Sequence, residues 1–212
     1  MNVYLLIGNG LKCLRLPPVK FLWNRDMPEI PIDSHKALDL YVKGVLPGKV
    51  KRRKVTRLSI SDLLSPIRPY FSSLCRDDDK YVGIFRLALF SSIKGLDLDA
   101  VALAYHFHTG RSLGYELVNK GVIKSLDDLL TVFIEYRAGL PCIVKESHDN
   151  MIIDVYECIS CSGLPIIGKP ICYFEAGLLS AILEKLIRTN KVEETKCWGL
   201  GDTKCTFIVS FM

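Results

Sequence analysis

The chain has 212 residues, 49% of them hydrophobic and 24% charged, with a mean hydropathy of +0.22, which excludes a disordered or fibrous protein and allows one core that needs no disulfide staples. The net charge of +5 is local, because residues 49–57 (KVKRRKVTR) carry six Lys/Arg and no acid, leaving the remainder close to neutral. With no run of about 18 apolar residues and no basic segment before the short apolar start, the sequence reads as an unexported, cytoplasmic protein without a membrane span.

Residues 3–6 and 11–16 are apolar-rich runs around Gly8-Asn9-Gly10, a hairpin signal because Gly and Asn accept positive φ. Pro17, Pro18, Pro28 and Pro31 keep the next stretch extended, and Asp33 or Ser34 can cap a short helix through Val42, ahead of Gly44. Residues 1–60 thus read as an N-terminal extension to a domain at 61–212. Ser61 with Asp62 can cap a helical piece that Pro66 and Pro69 keep short. Residues 80–93 are apolar at helical spacing and end at Gly95. Ala100, Leu103, Phe107, Gly110, Gly114 and Leu117 then draw one stripe down a helix over 98–119. Gly110 and Gly114 on that stripe imply a close helix contact, across a dimer or against a later helix. Ser125 caps a further helix, with Asp127 and Asp128 in its first turn, running to Arg137.

After Gly139 the pattern changes. Residues 142–145 and 151–158 read as strands about a polar turn at 148–150, 172–188 as a helix, and 192–197 and 205–211 as strands around the turn 199–204. Cys205, Phe207, Val209 and Phe211 share one parity and so one buried face. The expected fold class is α+β: helices first, then an antiparallel sheet with one helix inserted in it.

Eight cysteines in an unexported chain point to metal, reactive thiols or small buried hydrophobes rather than disulfides. Cys158, Cys161, Cys172, Cys197 and Cys205 crowd into the C-terminal part, where Cys172, Glu194, Cys197 and Cys205 offer the ligand types of a structural zinc site. A hairpin can join Cys197 to Cys205, and a helix start favours the Cys172 thiolate. Residues i and i+3 of an ideal strand face oppositely, so Glu194 and Cys197 converge only where a bulge or the strand end rotates one of them. Spacing equally permits a rival set built on the knuckle Cys158-Ile159-Ser160-Cys161, or inert core thiols with no metal.

The run GKPICYFEAGLLSAILEKL followed by VEETKCWGLGDTKCTFIVSF resembles the 4-vinyl reductase domain family, in Cys172, Gly177, Glu194, Cys197, Gly201-Asp202, Cys205 and Phe207. Tyr156-Glu157-Cys158 is similar to the strand before that unit, and HTGRSLGYEL to an earlier Gly-x-x-x-Gly helix; the likeness spans residues 61–212 and is strongest after Cys158. The resemblance implies zinc held by Cys172, Glu194, Cys197 and Cys205, with Cys158 and Cys161 as buried neighbours or alternative ligands. It also implies a cavity for a small hydrophobic or aromatic molecule between the glycine-bearing helix and the sheet. Tyr105, His106, Phe107, Tyr173, Phe174 and Trp198 are the side chains compatible with lining it. Four protein ligands close a zinc shell, so the metal would be structural, pinning the C-terminal hairpin to the helix at Cys172.

These readings converge on a zinc-stabilised sensor or carrier acting without catalysis, as a homodimer or through a separate signalling partner. An enzyme of vinyl-group reduction is the alternative from the family's name, although the opening Gly-Asn-Gly lacks a Rossmann fingerprint for a hydride donor. The third reading is an assembly scaffold similar to vesicle-tethering subunits. His106 and His108 lie about 200° apart on a helix and cannot chelate one ion; His106 alone reads as a hydrogen-bonding group for a ligand. The basic run at 49–57 lacks interleaved aromatics, so it reads as a solvated face or protected edge rather than a nucleic-acid surface.

Overall fold

The computed structural model describes residues 2–7, 10–15, 34–75, 77–91 and 100–212. Strands β1 (Asn2–Ile7) and β2 (Gly10–Arg15) pair antiparallel in register, as the Gly-Asn-Gly signal predicts. The turn residues Gly8 and Asn9, the proline-rich stretch and the ends near Gly95 and Leu98 lie outside the described residues.

Helix α1 (Ser34–Val42) buries Ala37, Leu38 and Tyr41. Helix α2 (Ile60–Leu63) is capped by Ser59, not by Ser61: the Ser59 amide donates to Asp62 Oδ2 at 2.8 Å while the Asp62 amide donates back to Ser59 Oγ at 3.3 Å. That reciprocal pair is a capping box, and it fixes Asp62 as the third helical residue. Helix α3 (Pro69–Leu74) begins at a proline, whose missing N–H would have no intrahelical partner there anyway. Helix α4 (Asp78–Ser91) follows, then α5 (Ala100–Asn119) and α6 (Leu126–Glu135), the last capped by the Ser125 side chain.

Strands β3 (Leu140–Glu146) and β4 (Asn150–Tyr156), helix α7 (Tyr173–Leu186), and strands β5 (Asn190–Lys196) and β6 (Cys205–Phe211) complete the chain. The four strands form an antiparallel sheet in the order β3-β4-β6-β5. The architecture is therefore the α+β arrangement expected, with α7 inserted in the sheet's sequence. Among the described residues, no helix is long and apolar enough to cross a membrane.

Pleating divides the sheet's side chains between two cores. Met151, Ile153 and Val155 of β4, with Cys205, Phe207 and Val209 of β6, join Leu178, Leu179 and Ile182 of α7 in the main core. Tyr156, Leu140 and Cys142 face a second core closed by Ala37, Leu38 and Tyr41 of α1 and Tyr70, Phe71 and Leu74 of α3. Tyr41 stacks on Tyr156 with ring centroids 5.0 Å apart and donates its hydroxyl to Glu157. The Glu157 carboxylate also accepts from the Tyr70 and Phe71 amides at 2.7 and 3.0 Å, which ties α1 and α3 to the end of β4.

The glycine stripe of α5 packs against α7 within the chain. A Cβ on Gly110 would sit 2.9 Å from the Leu178 amide nitrogen, and one on Gly114 would sit 2.8 Å from Ala181 Cβ; from the other side, a Cβ on Gly177 would overlap the Phe107 carbonyl oxygen. Only hydrogen at these positions lets the two backbones meet. Gly177→Ala is therefore expected to destabilise the protein by about 1–3 kcal/mol, read by denaturant unfolding, whereas Ser112→Ala on the exposed face of α5 leaves the midpoint in place.

Candidate metal centre

Three tight segments bring the C-terminal cysteines together. Cys172 stands immediately before α7, and no side chain of its own caps that helix. Instead Glu194 reaches across from β5: its Oε2 accepts from the Ile171 amide at 3.1 Å and the Cys172 amide at 2.9 Å. The β5–β6 register shifts between Glu194 and Lys196, the bulge that the three-residue spacing of Glu194 and Cys197 demands. Cys197 follows it, Cys205 opens β6, and Trp198–Leu200 form a single 3-10 turn between them. Gly201 takes φ +116, a left-handed conformation that glycine tolerates, and Asp202 Oδ2 then accepts from the Cys197 amide at 3.2 Å.

Ligand atoms of Cys172, Glu194, Cys197 and Cys205 all lie within 4.8 Å of one another, and so do those of Cys158, Cys161, Cys172 and Cys205. The sulfurs stand 3.4 Å apart for Cys172 and Cys205, 3.8 Å for Cys172 and Cys197, 3.5 Å for Cys158 and Cys172, and 3.2 Å for Cys161 and Cys205. All five thiols are free of disulfides and buried. Such a buried group of soft and carboxylate donors can hold a metal ion. The donor atoms fit one: Glu194 Oε1 is buried and has no hydrogen-bond partner among the described residues, although Oε2 is doubly engaged. An orphaned carboxylate oxygen beside thiols is costly unless a cation meets it.

The electrostatics say the same. Burial pushes the Cys161, Cys172 and Cys205 thiols well above the ordinary range. Burial also opposes ionisation of Cys158 and Cys197, but surrounding thiols stabilise those two thiolates and hold them low. Burial raises Glu194, and the Cys197 thiolate adds to it. Glu175, at 3.4 Å from Cys158 Sγ and 2.5 Å from the Ser160 hydroxyl, is raised for the same reasons.

Two arginines brace the cluster. Fully buried Arg86 donates to the carbonyls of Ile159 and Ser162 at 2.7 Å, lacing the turn that carries Cys158 and Cys161. Burial lowers it to about 10, opposed by the nearby Cys161, Cys158 and Cys172 sulfurs. Arg52 lies over the Trp198 ring and donates to the Trp198 carbonyl at 2.9 Å and to that of Gly201. The run 49–57 is thus not simply a solvated face: Arg52 binds the cysteine turn, Arg53 pairs with Asp62, and the Val55 amide donates to the Ile166 carbonyl at 2.9 Å. Sequence reasoning missed both arginines. Arg86 carries a signal, since it falls four residues from each of buried Val82 and Phe90 on the inner stripe of α4.

The aromatic candidates separate. Phe107 and Tyr173 meet in a groove of about 300 Å³, with Pro170, Ala176, Val192, Glu193 and Glu194. Tyr105 is exposed, and Phe174 packs edge-on against Phe85. His106 is buried with its Nε2 2.8 Å from the Leu89 carbonyl oxygen, edge-on to Phe90. Trp198 is buried against Arg52.

Fold and site together define a helix-flanked antiparallel domain whose C-terminal hairpin is gathered around a thiol-rich centre. The profile of the vinyl-4-reductase domain matches residues 151–211. An uncharacterised protein of Methanocaldococcus jannaschii is 38% identical over 130 residues, covering 60% of this chain and 76% of the relative. A second from that organism is 36% identical over 108 residues, covering 49% of this chain and 61% of the relative. The chain belongs to the vinyl-4-reductase domain family. Among solved structures it is similar to a vinyl-4-reductase family protein of M. jannaschii, at 23% identity and TM-score 0.44, over 63% of this chain and 80% of that one. It is also similar to the phenol-responsive sensory domain of the transcription activator PoxR with phenol, at 12% identity and TM-score 0.48, over 61% and 73% of the two chains.

Burial of the five clustered sulfurs predicts their reactivity. In the native protein half-buried Cys75 is expected to be alkylated fast, while Cys158, Cys161, Cys172, Cys197 and Cys205 stay unlabelled until the protein is denatured and stripped with a chelator, read by peptide mass mapping.

Proposed function

We propose that this protein is a zinc-stabilised binding module for a small, neutral hydrophobic or aromatic molecule, acting as a sensor or carrier without catalysis. Cys172, Glu194, Cys197 and Cys205 would hold the zinc ion, and four protein ligands leave no open position for water or substrate. The metal's role would be to fix the start of α7 against the β5–β6 hairpin.

One observation carries the reading: Glu194 belongs both to the ligand set and to the wall of the groove. The groove is built from α5 through Phe107, α7 through Tyr173 and Ala176, and β5 through Val192, the elements that the zinc would hold in place. Its lining is apolar except for Glu193 and Glu194, whose carboxylates disfavour an anionic ligand. Family membership supports a binding role, in line with the implication drawn from the sequence. The reading includes a cytoplasmic homodimer, with exposed Tyr81, Ile84, Val101 and Tyr105 as apolar side chains that a partner copy would cover, and a separate protein to receive the signal.

The test combines zinc content with binding of the neutral fluorophore N-phenyl-1-naphthylamine. Protein purified without chelator is expected to carry zinc, to lose it on Cys197→Ser, and to bind the probe saturably. Val192→Trp, which fills the groove from a half-buried strand position, is expected to weaken the probe about tenfold or more while leaving zinc in place. Unchanged probe affinity in that variant would place binding elsewhere, and a metal-free native protein would remove the zinc.

A further inference from the structure

We propose that the centre holds two divalent metal ions bridged by the thiolates of Cys172 and Cys205, the first completed by Glu194 and Cys197 and the second by Cys158 and Cys161. The inference rests on the zinc site above and adds a second ion to it.

The geometry points there first. The two four-ligand groups are not alternatives competing for space, because they share two members and diverge in the other two. Each shared sulfur already touches a sulfur of the second group, Cys172 with Cys158 at 3.5 Å and Cys205 with Cys161 at 3.2 Å. A thiolate has lone pairs enough for two metals, so both ions reach four ligands, the coordination number that thiolate sites favour.

The Cys158–Cys161 segment is built as a ligand turn. Its two cysteines are separated by two residues, the Cys161 and Ser162 amides donate to the Cys158 carbonyl at 3.3 and 3.0 Å, and the Leu164 amide donates to that of Cys161 at 3.0 Å. Gly163 follows at φ +89, where a Cβ would also sit 2.5 Å from the Ile67 amide nitrogen. The turn is therefore held rigid by its own backbone and by its neighbours. A pair of inert core thiols would not require this.

Charge supplies the independent observation. Six anionic donors around two divalent ions leave the same two negative charges that four donors leave around one, so the second ion adds no net charge to the core. Arg86 stands ready to balance part of it. It is fully buried, makes no ion pair with a carboxylate among the described residues, and keeps Nη1 without a hydrogen-bond partner, while the groups it faces electrostatically include Cys161, Cys158 and Cys172. A buried guanidinium without an anion is strongly unfavourable. Arg52 holds the other cysteine turn in the same way, through the Trp198 and Gly201 carbonyls. Each ion would thus have one arginine lacing its outer pair of ligands.

Native mass spectrometry with elemental analysis of full-length protein, purified without chelator or tag-derived metal, is expected to give two zinc ions per chain. The double variant Cys158→Ser/Cys161→Ser is expected to give one, with its circular dichroism unchanged. Titration of the zinc-free protein with cobalt(II) alone tests the bridge. Thiolate-to-cobalt absorption should grow through two equivalents, and the electron paramagnetic resonance signal of the first ion should fall by at least half as the second binds. A single ion in the parent protein, two ions that stay magnetically independent, or iron with inorganic sulfide in their place would each overturn the bridged pair. One ion would leave the zinc site of the proposed function standing, whereas none would end both.

Discussion

The constraint on which the C-terminal half depends is the crowding of like-charged donors in a dry place. Five sulfurs and a carboxylate oxygen meet where no solvent reaches the sulfurs, and they cannot all ionise there without a cation. Everything around them is arranged to hold them close regardless. Glu194 supplies the acceptor for the first amides of α7, Asp202 anchors the Cys197 amide, and two arginines tie down the two cysteine turns. The donors converge from three separate stretches of chain, so whatever binds them also joins helix to hairpin.

That junction sets the shape of the groove. Glycines at 110, 114 and 177 let α5 and α7 approach to backbone contact, which places Phe107 beside Tyr173 and Ala176. Glu194 then carries the influence of the cluster to the groove wall. A ligand that altered the position of β5 would be felt at the sulfurs, and loss of the cluster would be felt by the ligand. The coupling is short and runs through named atoms. It gives a binding module a way to report occupancy without any catalytic step.

Much of this is legible in the sequence because local rules decide it. The glycine stripe, the Ser125 cap and the alternation of Cys205, Phe207 and Val209 each depend on neighbours within a turn or two. The bulge after Glu194 follows from spacing alone, since a three-residue step cannot otherwise bring two strand residues together. Ser59 is mistaken for Ser61 because both precede Asp62 closely, and only the reciprocal hydrogen bonds distinguish the third helical residue from the first. The aromatic candidates are harder. Aromatic identity does not say which face of a helix a residue takes, and Tyr105 and Phe174 face away from the groove that Phe107 and Tyr173 share. Nor can spacing reveal that two cysteine sets share Cys172 and Cys205, which is a property of the packed core.

The central claim is that a metal at these residues holds α7, β5 and β6 together. Hydrogen exchange before and after metal removal by a strong chelator tests it most directly. The account predicts a loss of amide protection concentrated in residues 158–211, including the walls of the groove, with α1 and α3 little changed and protection restored by zinc. Identical exchange in the two states would contradict it, leaving the cysteines as core packing alone.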